Sequence, residues 1–572
     1  MDGVICVVSL KKKDLGLITF NWKQNFEFQQ NSLIRTMNEK SFIIEQKTSQ
    51  RFLAEKHWID NESFIFVTDG VILNFEELKK RENAKTNAEL VSLLASRKKT
   101  FFEEFEGSFV GLYYDKHSEN WFVFNNQTGT KKLYYFKNDD YLVFSTDLYV
   151  LCKALLSLHI TYTLDELAAY ILLTGGFMLD NLTLVSEVKQ LRAGEFFRSN
   201  ESQLLTNFYF HLQHVEKTTD SKSDILRNLE ELFNKAVKLE FDIDTKYGYK
   251  HVSTLSGGLD SRMTSFVAHK LGYEDLALFC FSEKGYADEI IAKQLTKAYN
   301  LDLTFKEIEP NSLTEIDNVI LVNDGLTVYT ACSHVFNAIK DTSFNNIGCV
   351  HTGLIGDGAL GSYLTDIKEK KANLQDGLFG STIKYPQVKN YIGKLIDKYP
   401  NEELYKIYNR AFMGINNGLL YLDLIGHTTS PFLNTAFLSY SYSIPTKLKY
   451  KQAIYIDWLK SYHPDLSRFT WEAIGGKATN SSLLRSLYRV NRAIIKRLPI
   501  KTMWKHNMNP EQVWYDKNKF VRDELDNYMR TSIDCIKDSQ LRNSVMQQYG
   551  EKDILEKAKS ITLAGAIKLL FQ

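Results

Sequence analysis

Two glycines, two hydroxyls and a carboxylate are packed into Ser256-Gly257-Gly258-Leu259-Asp260-Ser261. Such a run cradles an anion when it joins a strand to a helix. The glycines let the backbone approach closely, the orphan N–H groups point at phosphate oxygens, and the helix dipole favours negative charge. Asp260 would repel a bare phosphate, so it makes sense mainly as a ligand for Mg²⁺ bridging phosphates. The positioning elements are legible: Val252-Ser253-Thr254-Leu255 reads as a buried parallel strand, and Arg262 to Ala268 as the start of a helix. The plain alternative is an ordinary strand-to-helix turn. The GxxxxGK spacing of a Walker loop is absent.

On either side of this turn the pattern changes. Residues 1 to about 205 show short alternating apolar runs, such as Phe64-Ile65-Phe66-Val67 and Trp121-Phe122-Val123-Phe124. These suit stacked antiparallel sheets, with Asn87 to Leu94 as a covering helix. The polar stretch Val215 to Asp224 reads as an interdomain linker and helix cap, and Ile225 to Leu239 carries apolar residues at helical spacing. From 222 to about 480 strands alternate with helices, which predicts a parallel sheet covered on both faces. Ligands of such sheets bind outside the carboxyl ends of the strands, a rim that would hold Asp260, Ser282 and Asp357.

These motifs, in this order, resemble the asparagine synthetase family, whose second domain is a PP-loop ATP pyrophosphatase. SGGLDS resembles the PP-loop itself. Thr352-Gly353-Leu354-Ile355-Gly356-Asp357-Gly358-Ala359-Leu360-Gly361-Ser362-Tyr363 resembles the family's SGxGxDExFGGY, with both outer glycines, the central Gly-Asp and the closing Tyr in register. Ser430-Pro431-Phe432-Leu433-Asn434 looks like its RxPFLD segment. The N-terminal third is similar to the family's glutaminase domain, an Ntn-type αββα sandwich. Asp69 to Leu78 looks like NGEIYNxxEL, Glu106 to Asp115 like NGxFAxxxxD, and Gly129 to Tyr135 like GxKPLYY.

The glutaminase chemistry of that family is missing. Its nucleophile is a Cys directly after the initiator Met, acting with the freed α-amine. This chain reads Met1-Asp2-Gly3, and a carboxylate attacks an amide poorly. The family's oxyanion-hole Asn-Gly is Asp69-Gly70, which puts negative charge where an oxyanion must form. The acid that grips the glutamine amine corresponds to Asn87. Cys6 lies close by but inside the alternating run Val4 to Val8, where a buried strand thiol is the simpler reading. The resemblance therefore implies a degenerate glutaminase scaffold.

For the second domain it implies ATP and Mg²⁺. Ser256, Gly257, Gly258, Asp260, Ser261 and Gly353 would hold the pyrophosphate, and Leu255, Phe281 and Ser282 would contact adenosine. Asp260 and Asp357 would carry the metal. Lys477, in Trp471 to Lys477, looks like the catalytic lysine, against the plain reading of a solvated surface lysine. Leu354 and Gly358 stand where family members often carry acids, which favours a bulkier or less polar acyl substrate than aspartate. Asp288 and Glu289 read either as further ligands or as helix N-terminal acids.

Composition fits a large cytoplasmic enzyme of two or three domains. The 572 residues carry a net charge of +1, which argues against nucleic-acid wrapping. Six cysteines lie scattered without metal spacing, no signal peptide is legible at the N-terminus, and no apolar run is long enough for a transmembrane segment. Residues 481–572 read as a helical C-terminal extension. Within it Arg485, Arg489, Arg492 and Lys496 make one side of a basic amphipathic helix, read as a solvated face packed on the domain or as a contact for an anionic glycan or membrane surface. Asn509-Pro510 with Trp514-Tyr515 is a candidate lid.

Three functions remain open. The first is an amide-forming, AMP-releasing ligase acting on a small-molecule or glycan-linked carboxylate, with ammonia from solution or from a separate glutaminase. The second uses an amine of the substrate itself, as in β-lactam synthetases and lasso-peptide cyclases. The third is a non-catalytic scaffold. Homodimerisation, which family glutaminase domains often mediate, stays open as well.

Overall fold

The computed structural model of the chain describes residues 2–16, 18–380, 382–495 and 507–572. The first domain is built on twelve strands: β1 (Gly3–Ser9), β2 (Ser32–Glu39), β3 (Phe42–Ser49), β4 (Trp58–Asp60), β5 (Phe64–Ile72), β6 (Gly107–Asp115), β7 (Asn120–Asn125), β8 (Tyr134–Lys137), β9 (Tyr141–Ser145), β10 (Lys189–Gln190), β11 (Glu195–Ser199) and β12 (Leu204–Phe208). They form two six-stranded sheets, ordered β10-β8-β9-β1-β3-β2 and β12-β11-β7-β6-β5-β4.

Period-two alternation explains why the central strands are apolar on both sides. Val4, Cys6 and Val8 of β1 meet Val67, Leu112 and Phe144 in the core between the sheets. Ile5 and Val7 point the other way, into the core that includes α3 (Leu148–Ser157) and α4 (Glu166–Gly175). On the far side, Phe64 and Phe66 of β5 pack against α1 (Phe75–Arg81) and α2 (Asn87–Arg97). The result is an αββα sandwich: the alternating runs predict its stacked sheets, and the family resemblance implies the layer order. Cys6 is wholly buried in the inter-sheet core, and burial pushes its thiol well above the ordinary range.

The second domain opens with α5 (Lys222–Tyr247). Ser221 caps it, its Oγ accepting the Asp224 N–H at 3.2 Å, so helix already occupies the last residues of the polar stretch. Ile225, Leu229, Phe233, Val237 and Phe241 make its buried stripe, which carries the helix past the expected end at Leu239. Five parallel strands follow: β13 (Lys250–Thr254), β14 (Leu276–Ser282), β15 (Asp302–Glu307), β16 (Ile347–His351) and β17 (His427–Thr429). Their order is β15-β14-β13-β16-β17, so the chain runs outward from β13 in one direction and then returns to its other side. The gap between the carboxyl ends of β13 and β16 is therefore the topological switch point, where open α/β sheets bind ligands. α6 (Asp260–Lys270) and α7 (Ala287–Tyr299) follow β13 and β14, and a short hairpin of β18 (Thr470–Trp471) and β19 (Gly476–Lys477) closes the domain.

The C-terminal extension is helical. Its last helix, Ile554–Phe571, inserts between the domains: Lys559 Nζ donates to Thr174 O of α4 at 3.0 Å, and Thr562 Oγ1 accepts the Tyr329 N–H at 3.0 Å. In the basic segment the helix Ser482–Ile495 is present, with Leu483 and Leu487 exposed. Lys496 and the side chains of Arg489 and Arg492 lie outside the described residues. Among the described residues, no helix is long and apolar enough to cross a membrane.

Candidate functional site

Leu255 continues the line of β13 by donating its N–H to Phe279 O at 2.8 Å, and the chain then turns through Ser256–Leu259 into α6. The turn is held in shape from within. Ser256 N–H donates to Ser261 Oγ at 3.0 Å, the two serine hydroxyls lie 3.0 Å apart, and Gly258 N–H reaches Ser256 Oγ at 3.2 Å. Three neighbours clamp it from outside. Asp288, in the first turn of α7, accepts the Gly257 N–H at 2.6 Å; Glu472 N–H donates to Gly257 O at 3.0 Å; and Arg262 Nη2 lies 3.3 Å from the same oxygen. A Cβ on Gly257 would stand 2.8 Å from Glu472 Cβ and 2.9 Å from Ile291 Cδ1, so only glycine fits. Asp288 thus acts as an N-terminal acid of α7 and a clamp on the turn. Glu289 accepts the Gly285 N–H at 2.6 Å and pairs with Lys293.

Asp260 opens α6 and faces the segment after β16. Its Oδ2 accepts the Asp357 N–H at 2.9 Å; its buried Oδ1 accepts no hydrogen bond of good geometry, although the buried Tyr455 hydroxyl favours the charged carboxyl. Burial, and then the Asp357 carboxylate, push the Asp260 carboxyl well above its usual range. The approach is close because Gly353 carries no side chain: a Cβ there would sit 2.3 Å from the Asp260 carbonyl carbon and the Ser261 nitrogen. An orphaned carboxylate oxygen beside a second carboxylate is a donor set that fits a hard divalent cation such as Mg²⁺. Ile355 holds φ at +70° between Leu354 and Gly356, a left-handed conformation rare for a β-branched residue. Its side chain is only 5 % exposed, and that packing keeps the strained backbone in place.

The remaining expected residues fall as follows. Ser282, fully buried, ends β14 on the same rim, preceded by Phe281, and Leu255 buries its side chain below the turn. Lys477 pairs with Thr470 across the hairpin and is exposed. Arg262, which nothing in the six-residue motif announces, links this hairpin to the turn: it donates to Thr470 O at 2.7 Å as well as to Gly257 O. The one clue in the sequence is a cation in the first turn of a helix, where the dipole disfavours it. The lid segment reaches the same rim, since Glu283 N–H donates to Met508 O at 2.8 Å; Trp514 itself is buried in the core.

In the first domain, Asp2, Asp69 and Gly70 line one cavity of about 110 Å³ that extends to Asp423 and His427 of the second domain. Asn87 is not part of it; its side chain lies 3.4 Å from His57 Nδ1. The cavity is lined by charge pairs. Asp2 accepts the Ser49 N–H at 2.7 Å and pairs with Lys56 at 3.2 Å; burial raises its carboxyl, but Lys56 and Ser49 outweigh this and hold it at about 2. Lys131 bridges to Asp423 at 2.8 Å across the domain boundary, and burial pushes the Asp69 carboxyl upward against the pull of Lys131 and Lys56. None of these groups is a nucleophile suited to an amide.

His57, beside this cavity, is 3 % exposed and stacks on Phe75 with ring centroids 3.9 Å apart. Burial, with Lys79 and Lys246 adding to it, pushes its imidazole from 6.5 down to about 3. Between those values the unfolded chain holds a proton that the folded chain refuses, so acid destabilises the fold there. His57→Gln removes that dependence. In urea titrations from pH 6 to pH 4, stability of the variant relative to wild type is expected to rise by about 1.4 kcal/mol per pH unit.

Comparison with known proteins adds a second line of evidence. Residues 43–153 match a glutamine amidotransferase domain and residues 228–404 match asparagine synthase. The chain is 22% identical over 311 residues to the glutamine-hydrolyzing asparagine synthetase 1 of Bacillus subtilis, covering 52% of this chain and 47% of that one. It is 24% identical over 210 residues to a putative asparagine synthetase of Methanocaldococcus jannaschii, covering 36% and 40%. The match thus spans less than half the length of either relative. Among solved structures, the glutamine phosphoribosylpyrophosphate amidotransferase of B. subtilis is similar at a TM-score of 0.22 and 10% identity, over 68% of this chain and 89% of that one. An allosteric regulatory enzyme of purine biosynthesis gives 0.23 and 10%, over 53% and 80%. Likeness at this level has no bearing on chemistry.

Proposed function

With the chain a member of the asparagine synthase family, we propose that it is an ATP-dependent amide-forming ligase that activates a carboxylate as its adenylate and does not hydrolyse glutamine. The observation that carries this reading is the meeting of Asp260 and Asp357 at the switch point, with Asp260 Oδ1 buried and unpartnered beside a preformed turn. Mg²⁺ held there supplies neutralisation of the departing pyrophosphate.

The chain's own groups do the rest. The Ser256 and Ser261 hydroxyls and the N–H groups opening α6 would hold the phosphates; the Gly257 N–H is already committed to Asp288. The substrate carboxylate attacks the α-phosphorus and the bond to pyrophosphate breaks, leaving an acyl-adenylate. Ammonia or an amine then attacks the acyl carbon, loses a proton, and AMP departs. Lys477, on the hairpin that Arg262 ties to the turn through Thr470, would offset the developing charge. Leu354, whose carbonyl is fixed by the Ser430 hydroxyl at 3.0 Å, offers an apolar wall where an acid would serve an amino-acid substrate. This favours a less polar acyl group, free or glycan-linked, and a cytoplasmic setting where ATP is available.

The reading is tested by pyrophosphate release from ATP with Mg²⁺ across a panel of carboxylates, with ammonium, glutamine or no nitrogen source, against Asp260→Ala. Release with ammonium but not glutamine is expected. Equal support from glutamine overturns the loss of glutaminase. Release without added nitrogen, with an internal amide in the product, transfers the chain to the intramolecular synthetases. Silence throughout, with no ATP binding above that of Asp260→Ala, leaves only a scaffold.

A further inference from the structure

On the face of the parallel sheet covered by α5 lies a second cluster of chemistry-bearing side chains that ATP chemistry does not use. Asp244 of α5, His251 of β13 and His351 of β16 bring one ligand atom each to within 4.8 Å of one another, all buried. His351 Nε2 is 2.9 Å from Asp244 Oδ2, and His251 Nδ1 is 3.3 Å from the same oxygen. Donors about 2.1 Å from a tetrahedral metal stand about 3.4 Å apart, so these separations match a coordination shell as well as they match hydrogen bonds. Cys349, two residues before His351 on β16, touches the cluster through its backbone, its N–H donating to Asp244 Oδ1, while its sulfur is not among the grouped ligand atoms.

The surroundings serve both readings, since a doubly protonated His351, which burial opposes but Asp244 and Glu240 favour, donates to the same oxygens. His351 Nδ1 is 3.0 Å from Thr429 Oγ1 and 3.6 Å from Glu240 Oε2, an oxygen with no hydrogen-bond partner. The ring thus has oxygens waiting on both nitrogens. A metal on Nε2 leaves Nδ1–H free to donate outward to Thr429 and Glu240, the arrangement by which metal-bound histidines are oriented. The other donors are braced too: Asp244 Oδ1 accepts the Cys349 N–H at 2.8 Å, and His251 Nε2 lies 3.5 Å from Thr245 Oγ1. Phe241 stacks on His351, centroids 3.6 Å apart, and screens the cluster from water.

We propose that Asp244, His251 and His351 bind a zinc-type divalent cation that ties α5 to β13 and β16. Two imidazoles and one carboxylate favour zinc over Mg²⁺, so the site is distinct from the one at Asp260.

The test is metal analysis of the full-length chain in an Asp260→Ala background, loaded with zinc and passed over a chelating resin. About one zinc per chain is expected, falling below about a tenth in His251→Asn and in His351→Asn. Cobalt loading of the wild-type chain gives a readout that needs neither histidine variant to fold: visible bands of cobalt bound by nitrogen and oxygen donors. Less than about a tenth of a zinc per wild-type chain overturns the site, as do full retention in a folded histidine variant and the absence of those bands.

Discussion

Asp260→Asn is expected to lower pyrophosphate release by about a thousand-fold and, in the same protein, to raise the unfolding temperature. The first effect follows from charge: asparagine keeps the shape and the acceptor for the Asp357 N–H but brings no negative charge to a divalent cation, and several kcal/mol of charge stabilisation in the transition state corresponds to about that factor. The second follows from the same geometry. In the free protein the Asp260 carboxyl is buried and faces Asp357, and burial and like charge oppose its ionisation more than the Asp357 N–H and the Tyr455 hydroxyl support it. A neutral isostere removes that opposition, and relief of such a functional site commonly amounts to about 0.5–2 kcal/mol. Thermal melts with and without ATP and Mg²⁺ give the check. ATP with Mg²⁺ stabilises wild type and leaves the variant unmoved. A variant that is less stable, or that still releases pyrophosphate, contradicts the assignment.

Arg262→Met is expected to cost about 3–5 kcal/mol of stability and to disable adenylation although no atom of Arg262 need touch ATP. The guanidinium is fully buried and, among the described residues, has no ion-pair partner; it donates to the carbonyls of Leu466 at 3.1 Å, Thr470 at 2.7 Å and Gly257 at 3.3 Å. Burial pushes it down to about 10, against the smaller upward pull of Tyr455 and Tyr299, and it remains charged at neutral pH. Methionine fills the space but strands these carbonyls, each lost charged hydrogen bond being worth about 1.5–3 kcal/mol. It also frees the hairpin bearing Lys477 from the phosphate turn. Urea unfolding at neutral pH measures the first effect and pyrophosphate release the second. A loss under about 1 kcal/mol with full activity would show that the hairpin is held by other contacts. Arg262→Lys, which reaches fewer carbonyls, is expected to fall between.

What the sequence reveals and what it hides divide along range. The turn Ser256–Ser261, its strand, its helix and the rim positions of Asp260, Ser282 and Asp357 are legible because each depends on neighbours a few residues away. Twofold alternation likewise exposes the stacked sheets, and the apolar stripe of α5 predicts a helix there. Its end is missed because past Leu239 the stripe is carried by Phe241 and Asp244, and a buried aspartate reads as surface until its partners are known. Those partners, Cys349 and His351, come from a strand more than a hundred residues away. Lys131 and Asp423 are likewise 292 positions apart. Sequence shows that Asp2 and Asp69 cannot serve as the usual glutaminase groups, but not that the vacated space is filled with paired charge.

That paired charge makes the first domain a ratchet. Asp2→Cys alone supplies a thiol, yet it also removes the carboxylate that neutralises Lys56, an ammonium only 7 % exposed. Asp69→Asn alone takes from Lys131 one of the acids that balance it, but also relieves a carboxyl whose own ionisation burial opposes. The step at Asp2 is therefore a step down in stability, and on the proposed reading its catalytic return arrives only when the other steps have been taken as well. A mutating lineage is then held away from glutamine by the cost of that intermediate, independently of any selection on the pocket's present use.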